Sequence, residues 1–200
     1  MKKLIYTTAI MGAVLIVQAC GNSSGNANNT SDTTEMASDS TAAADAALTA
    51  DTANMEGFIA DTTFASKAAI AGMAEVELGK LALEKGSDAK VKDFASMMVK
   101  DHGKANAELK AIATSKKIVL PNGLDQEHKS VMEELKSKSG ADFDKSYAKA
   151  MVEGHQKTLA LMQQGSMGLK DAELKGFATK TAPIVKHHLD RINTIETELK

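Results

Sequence analysis

Residues 91–112 read VKDFASMMVKDHGKANAELKAI. Val91, Phe94, Ala95, Met98, His102, Ala105, Leu109 and Ile112 fall at i, i+3, i+4, i+7 spacing, the period of one face of an α-helix. A helix turns such a face inward, and His102 stands in the middle of it. A buried imidazole must find a partner, because an unpaired buried polar group costs roughly 1–3 kcal/mol.

The pattern recurs. Phe143, Tyr147, Met151, His155, Leu159 and Met162 form one stripe. Leu174, Phe177, Ala178, Thr181, Ile184, Val185, His188, Ile192, Ile195 and Leu199 form another. Glu77 borders the stripe of a fourth segment, where Met73 and Ala74 compete for the same face. Turn and cap residues delimit the helices: 62–85, ending at Gly86-Ser87-Asp88; 88–115, ending before Pro121-Asn122-Gly123; a short one over 124–138; 142–164; and 171–199. Pro183, inside the last, removes a backbone donor and should bend it. No alternating strand pattern occurs, and Ala, Leu, Lys, Glu and Met favour helix, so the expectation is an all-α four-helix bundle.

Two topologies compete. In simple up-down order, His102 and His188 share a level, with Glu77 and His155 about 9 Å away along the bundle. If residues 116–141 instead form a crossover that returns the chain, the second and third long helices run parallel. His102, His155, His188 and Glu77 then fall at one level, at a rise of about 1.5 Å per residue. This argument favours a ferritin-like connection, with the short extra helix in the crossover between helices two and three.

The N-terminus points to export. Lys2 and Lys3 precede an apolar run from Leu4 to Val17, too short for a stable membrane span. Val17-Gln18-Ala19-Cys20 resembles the bacterial lipoprotein processing box, with Gln18 a mild departure; 1–19 would be the leader and Cys20 the lipidated first residue. Cys20 is the only cysteine, which excludes a disulfide or thiolate ligand in the domain. The polar tract over 20–57 reads as a tether, and 58–200 as the bundle domain. Setting aside Lys2, Lys3 and seven acidic residues up to Asp61 leaves 22 basic and 19 acidic residues, too balanced to argue for nucleic acid. The expected partner is a membrane of the cell envelope, reached through Cys20.

Ala74-Glu75-Val76-Glu77-Leu78-Gly79-Lys80, Val91-Lys92-Asp93-Phe94-Ala95, Lys100-Asp101-His102, Phe143-Asp144-Lys145-Ser146-Tyr147, His155-Gln156-Lys157-Thr158 and Gly176-Phe177-Ala178 with His188-Leu189 resemble a bacterial family called domain of unknown function 4142. The resemblance covers about 62–199. It implies a ferritin-like fold and an outer-membrane or envelope setting, and no established activity.

Ferritin-like carboxylate proteins use Glu-x-x-His on two helices. Here Val99 and Val185 stand three residues before His102 and His188, which argues against a di-iron centre. Three imidazoles with Glu77, and Asp144 or Met151 as further candidates, suit zinc or copper better. The alternative is a structural polar layer whose histidines bond Glu77, Asp101, Asp144, Tyr147 or backbone carbonyls. His128 and His187 read as surface residues, and the methionines as adaptable core filler. No nucleophile–base arrangement, Gly-rich phosphate loop or His-Glu-x-x-His occurs, and the missing bridging carboxylates place a metal-dependent redox enzyme third. The leading expectation is a metal-binding or stress-related envelope protein; the competing one is a metal-free structural or interaction module.

Overall fold

The computed structural model describes residues 59–200; the leader, Cys20 and the whole of the tether lie outside them. The described residues form α1 (Asp61–Lys85), α2 (Ala89–Ser115), α3 (Gln126–Lys136), α4 (Gly140–Gly168) and α5 (Ala172–Glu198), with no strand among them. No described helix is long and apolar enough to cross a membrane.

Side-chain contacts fix the direction of each helix. Asp144, at the start of α4, accepts hydrogen bonds from the backbone N–H groups of Ser87 and Asp88, where α1 turns into α2. At the opposite end, Asp61 accepts from Lys170 and Asp171, where α4 turns into α5. Lys90, near the start of α2, pairs with Glu198 at the end of α5, and Lys116, just past α2, pairs with Asp171. Hence α2 and α4 run parallel, and α1 and α5 run against them. The chain crosses back between α2 and α4, with α3 on the crossover, as level counting predicts.

The caps follow from side-chain chemistry. Asp88 and Asp171 each accept two backbone N–H bonds at the starts of α2 and α5, satisfying donors a helix cannot satisfy itself. Gly86 occupies the expected stop, but its backbone is extended (φ −62°). It is needed for closeness: a Cβ there would sit 2.6 Å from the Ala82 carbonyl and 3.3 Å from Asp144. Gly165 is alike, since a Cβ would sit 2.6 Å from the Phe64 ring. The α5 helix continues unbroken through Pro183.

The apolar core falls into two clusters. One gathers Leu78, Val91, Phe94, Met98, Tyr147 and Ile192 among others; the second gathers Phe64, Leu109, Met162, Leu174, Phe177 and Val185 among others. In every long helix the boundary between them is a buried polar residue: Glu75 on α1, His102 on α2, His155 and Thr158 on α4, His188 on α5. The bundle is two hydrophobic plugs with a polar layer between.

Candidate metal centre

The three stripe histidines meet in that layer. One ring nitrogen from each lies within 4.8 Å of those of the other two. His102 Nε2 and His188 Nδ1 are 3.2 Å apart, and the ring centroids of His155 stand 5.5 Å from His102 and 5.7 Å from His188. All three are buried. The Phe94 ring closes the layer on one side, with its centroid 5.9 Å from His155 and 6.5 Å from His188.

The carboxylate of the layer is Glu75, and Glu77 is a correction. Glu77 is half exposed and pairs with Lys80 one turn away, at 2.7 Å. Glu75 is buried, and two residues along a helix are about 200° around it, so one of the pair must face out. Glu75 Oε2 lies 2.8 Å from His102 Nδ1, although the approach is not along an N–H bond and Oε2 carries no directed hydrogen bond. Glu75 Oε1 accepts from the Thr158 hydroxyl at 3.2 Å and lies 3.7 Å from His155 Nδ1. Asp144 holds the α1–α2 turn and takes no part in the layer. Met151 contributes its backbone carbonyl, which accepts from His155 Nδ1 at 2.8 Å. His128 pairs with Asp125 at 2.6 Å, and His187 is exposed.

Each imidazole is therefore oriented through one nitrogen. His102 Nδ1 faces Glu75, His155 Nδ1 donates to Met151, and His188 Nε2 faces Asp101 Oδ2 at 3.2 Å. A carboxylate or carbonyl behind the far nitrogen is how proteins fix the tautomer of a ligating histidine. Of the nitrogens left over, His102 Nε2 and His188 Nδ1 face each other. His155 Nε2 is buried without a partner.

Electrostatics divide the layer. Burial alone would raise the Glu75 pKa, but the charge and proximity of His102, with His155 and Thr158 assisting, hold it down to about 2. Burial opposes the charge on His102, and Glu75 and Asp101 more than offset it, so its pKa is raised. Burial, with repulsion from His102, lowers the pKa of His155. For His188, burial and repulsion from His102 and His155 outweigh Asp101 and lower it to about 4. Without a metal, these shifts favour the charged forms of Glu75 and His102 and the neutral forms of His155 and His188.

Val99, Val152 and Val185 stand three residues before His102, His155 and His188. The Glu-x-x-His carboxylates of a di-iron site are therefore absent from all three helices. Fold and layer together define a helical bundle with a buried three-imidazole centre. The model of the family described as Domain of unknown function (DUF4142) matches residues 38–195, and the chain belongs to that family. The match begins inside the segment read as a tether. No curated protein matches the chain.

Two solved structures share the fold. One is "CopM in the Cu(II)-bound form", with a TM-score of 0.62 and 15% identity, covering 72% of this chain and 99% of that one. The other is "CopM in the Ag-bound form (by co-crystallization)", with a TM-score of 0.58 and 14% identity, covering 70% and 97%.

Proposed function

We propose that this protein binds one transition-metal ion, copper above zinc, through His102, His155 and His188 at the cell envelope. The observation that carries the reading is His155 Nε2, a buried lone pair with no partner beside two further imidazoles. Two nitrogens each about 2.0 Å from a tetrahedral ion stand about 3.3 Å apart. The 3.2 Å between His102 Nε2 and His188 Nδ1 fits that span. A bound ion would take the place of a proton shared between them. Glu75, held ionised in the layer, supplies balancing negative charge.

Three neutral imidazoles suit copper and zinc, and copper(II) binds nitrogen sites more tightly than the other divalent first-row ions. The two fold relatives, CopM bound to Cu(II) and CopM bound to Ag, support the same choice. The leader and the Cys20 box support an envelope setting with a lipid anchor.

A second reading has its own observation. With His102 protonated, the contacts to Glu75 and His188 and the His188–Asp101 contact make a nearly self-satisfied structural layer. In that reading the bundle is a metal-free interaction module. The two readings differ in elemental content. Untagged full-length protein, exposed to copper(II) and desalted, should retain one ion per chain. Retention equal to that of a triple His102→Ala, His155→Ala, His188→Ala variant would favour the structural layer.

A further inference from the structure

The histidine layer lies deep in the bundle, so an ion needs a way in. A groove of about 820 Å³ runs between α1, α3 and α4. The α3 helix closes one side of it, seated on the bundle by the buried Leu135 near its C-terminal end and the partly buried Val131 and Met132. Its first turn is held to α4 by the Glu127–Lys157 ion pair, at 2.5 Å. The walls include Met151, Gly154 and Thr158 of α4, and the groove reaches Glu75. Glu75 is almost wholly buried, and its Oε2 has no directed hydrogen bond. Asp125, Glu127 and Glu153 line the rim, so with Glu75 the groove carries four carboxylates against two lysines, Lys67 and Lys157.

We infer that this groove is the route by which a hydrated metal cation reaches the histidine layer, and that Glu75 is the first group inside to take it. The inference rests on the metal-binding reading above. Rim carboxylates raise the local concentration of a cation and speed its encounter. At the inner end, the carboxylate offers a hard oxygen to an ion still carrying water. Glu75, which stays against His102 Nδ1 at 2.8 Å, can then release the ion to the unpartnered His155 Nε2 and the facing His102 Nε2 and His188 Nδ1. The imidazoles replace the remaining water, and their far nitrogens stay held by Met151 and Asp101. Glu75 is in this account a relay, and the resting place is the three-imidazole set.

Gly154 provides the test. A Cβ at this helical position meets nothing within 4 Å, so a large side chain can occupy the groove without displacing the core. Stopped-flow mixing of full-length protein with copper(II) held by a weak chromophoric chelator reads the loading rate. Gly154→Trp should slow loading at least tenfold and slow release to a strong chelator by the same factor, leaving stoichiometry and equilibrium affinity unchanged. Gly154→Ala should load at the unaltered rate. Should Gly154→Trp fail to fold, Glu153→Lys at the exposed rim decides: loading slows several-fold at low salt, and the difference vanishes at high salt. Unchanged loading in the folded variants overturns the route and turns attention to the Asp101 side of the layer. Absence of bound copper in the unaltered protein at equilibrium overturns the metal reading itself, a result distinct from a change in rate.

Discussion

His102 Nε2 stands 3.2 Å from His188 Nδ1 across the middle of the bundle, one carried by α2 and the other by the antiparallel α5. The pair can share a proton or an ion, and His155 beside them decides which is the better fit. A shared proton satisfies two nitrogens and leaves His155 Nε2 bare; an ion engages all three. Substituting one histidine should therefore affect metal retention far more than folding. His155→Gln removes the unpartnered nitrogen, and copper retention should fall at least a hundredfold, while the metal-free protein melts within a few degrees of the parent. Elemental analysis alongside thermal melts checks both halves.

Glu75 and Glu77 differ by two positions and should behave oppositely. Glu75→Gln removes the buried negative partner of His102 and should destabilise the metal-free protein by about 3–5 kcal/mol, the range for breaking a buried pair. It should also weaken copper binding about 10–100-fold, as the loss of a group that orients a ligand does. Glu77→Gln breaks only an exposed pair with Lys80 and should stay within about 0.5 kcal/mol of the parent. Urea unfolding of the two variants side by side makes the comparison. Equal stabilities would mean that Glu75 is not the partner of His102.

Stability should vary with pH in a way set by the layer. His102 has its pKa raised on folding, so its contribution is complete below the unfolded value of about 6.5 and is lost as pH rises through the folded value. His188 and His155 are lowered, so their neutral forms are favoured and stability is lost as pH falls below about 6.5, for His188 down to about 4. Glu75 adds a further loss as pH falls through the window from about 4.5 to about 2. The metal-free protein should melt highest near pH 6.5 and lower on both sides. Melting temperatures from pH 3 to 9 without metal would reveal a flat profile if the layer does not titrate.

Copper retention should have a one-sided dependence. Only deprotonated imidazole ligates, so bound copper should be released as pH drops below about 6. Equilibrium dialysis across that range reads it, and release that tracks carboxylate protonation instead, near pH 4, would assign the ion to acidic groups.

Lipidation makes a separate prediction at Cys20. Full-length protein expressed in a bacterial host should partition with the membrane fraction, and Cys20→Ser should release it to the soluble periplasmic fraction. Identical partitioning of the two would exclude the lipid anchor.

The helices and the crossover were legible because three stripes carry large apolar residues on one face. Phe94, Met98 and Leu109 rank one side of α2 above the other. Counting from helix ends to His102, His155 and His188 then left one topology in which they meet. The site was legible in its nitrogens and not in its oxygen, for a physical reason. The α1 helix packs against α2 on one side and against α4 on another, and Ala and Gly dominate both contacts. Ala68, Gly72, Ala74 and Gly79 are all buried, so apolar periodicity in α1 selects no single face. A seven-residue spacing would have found Glu75, since Ala68 and Ala82 on either side of it are both buried. Glu77 sits three residues before Lys80, the mark of a surface pair. Nothing local reveals that Asp144 would fasten the α1–α2 turn, because that contact spans 57 residues.

The two turn-fastening aspartates are reciprocal. Asp61 lies 27 residues before Asp88 and serves the α4–α5 turn, while Asp144 lies 27 before Asp171 and serves the α1–α2 turn. Each helical hairpin caps its second helix with its own aspartate and borrows a further carboxylate for the bend from the other. The centre is divided in the same way, with Glu75 and His102 on one hairpin and His155 and His188 on the other. The two hairpins thus meet at the layer, and an ion held there as proposed would cross-link them. If the polypeptide is severed in the crossover between Ser115 and Gln126, the fragments should remain complements, and on the metal-binding reading copper should act as the rivet that tightens their recombination.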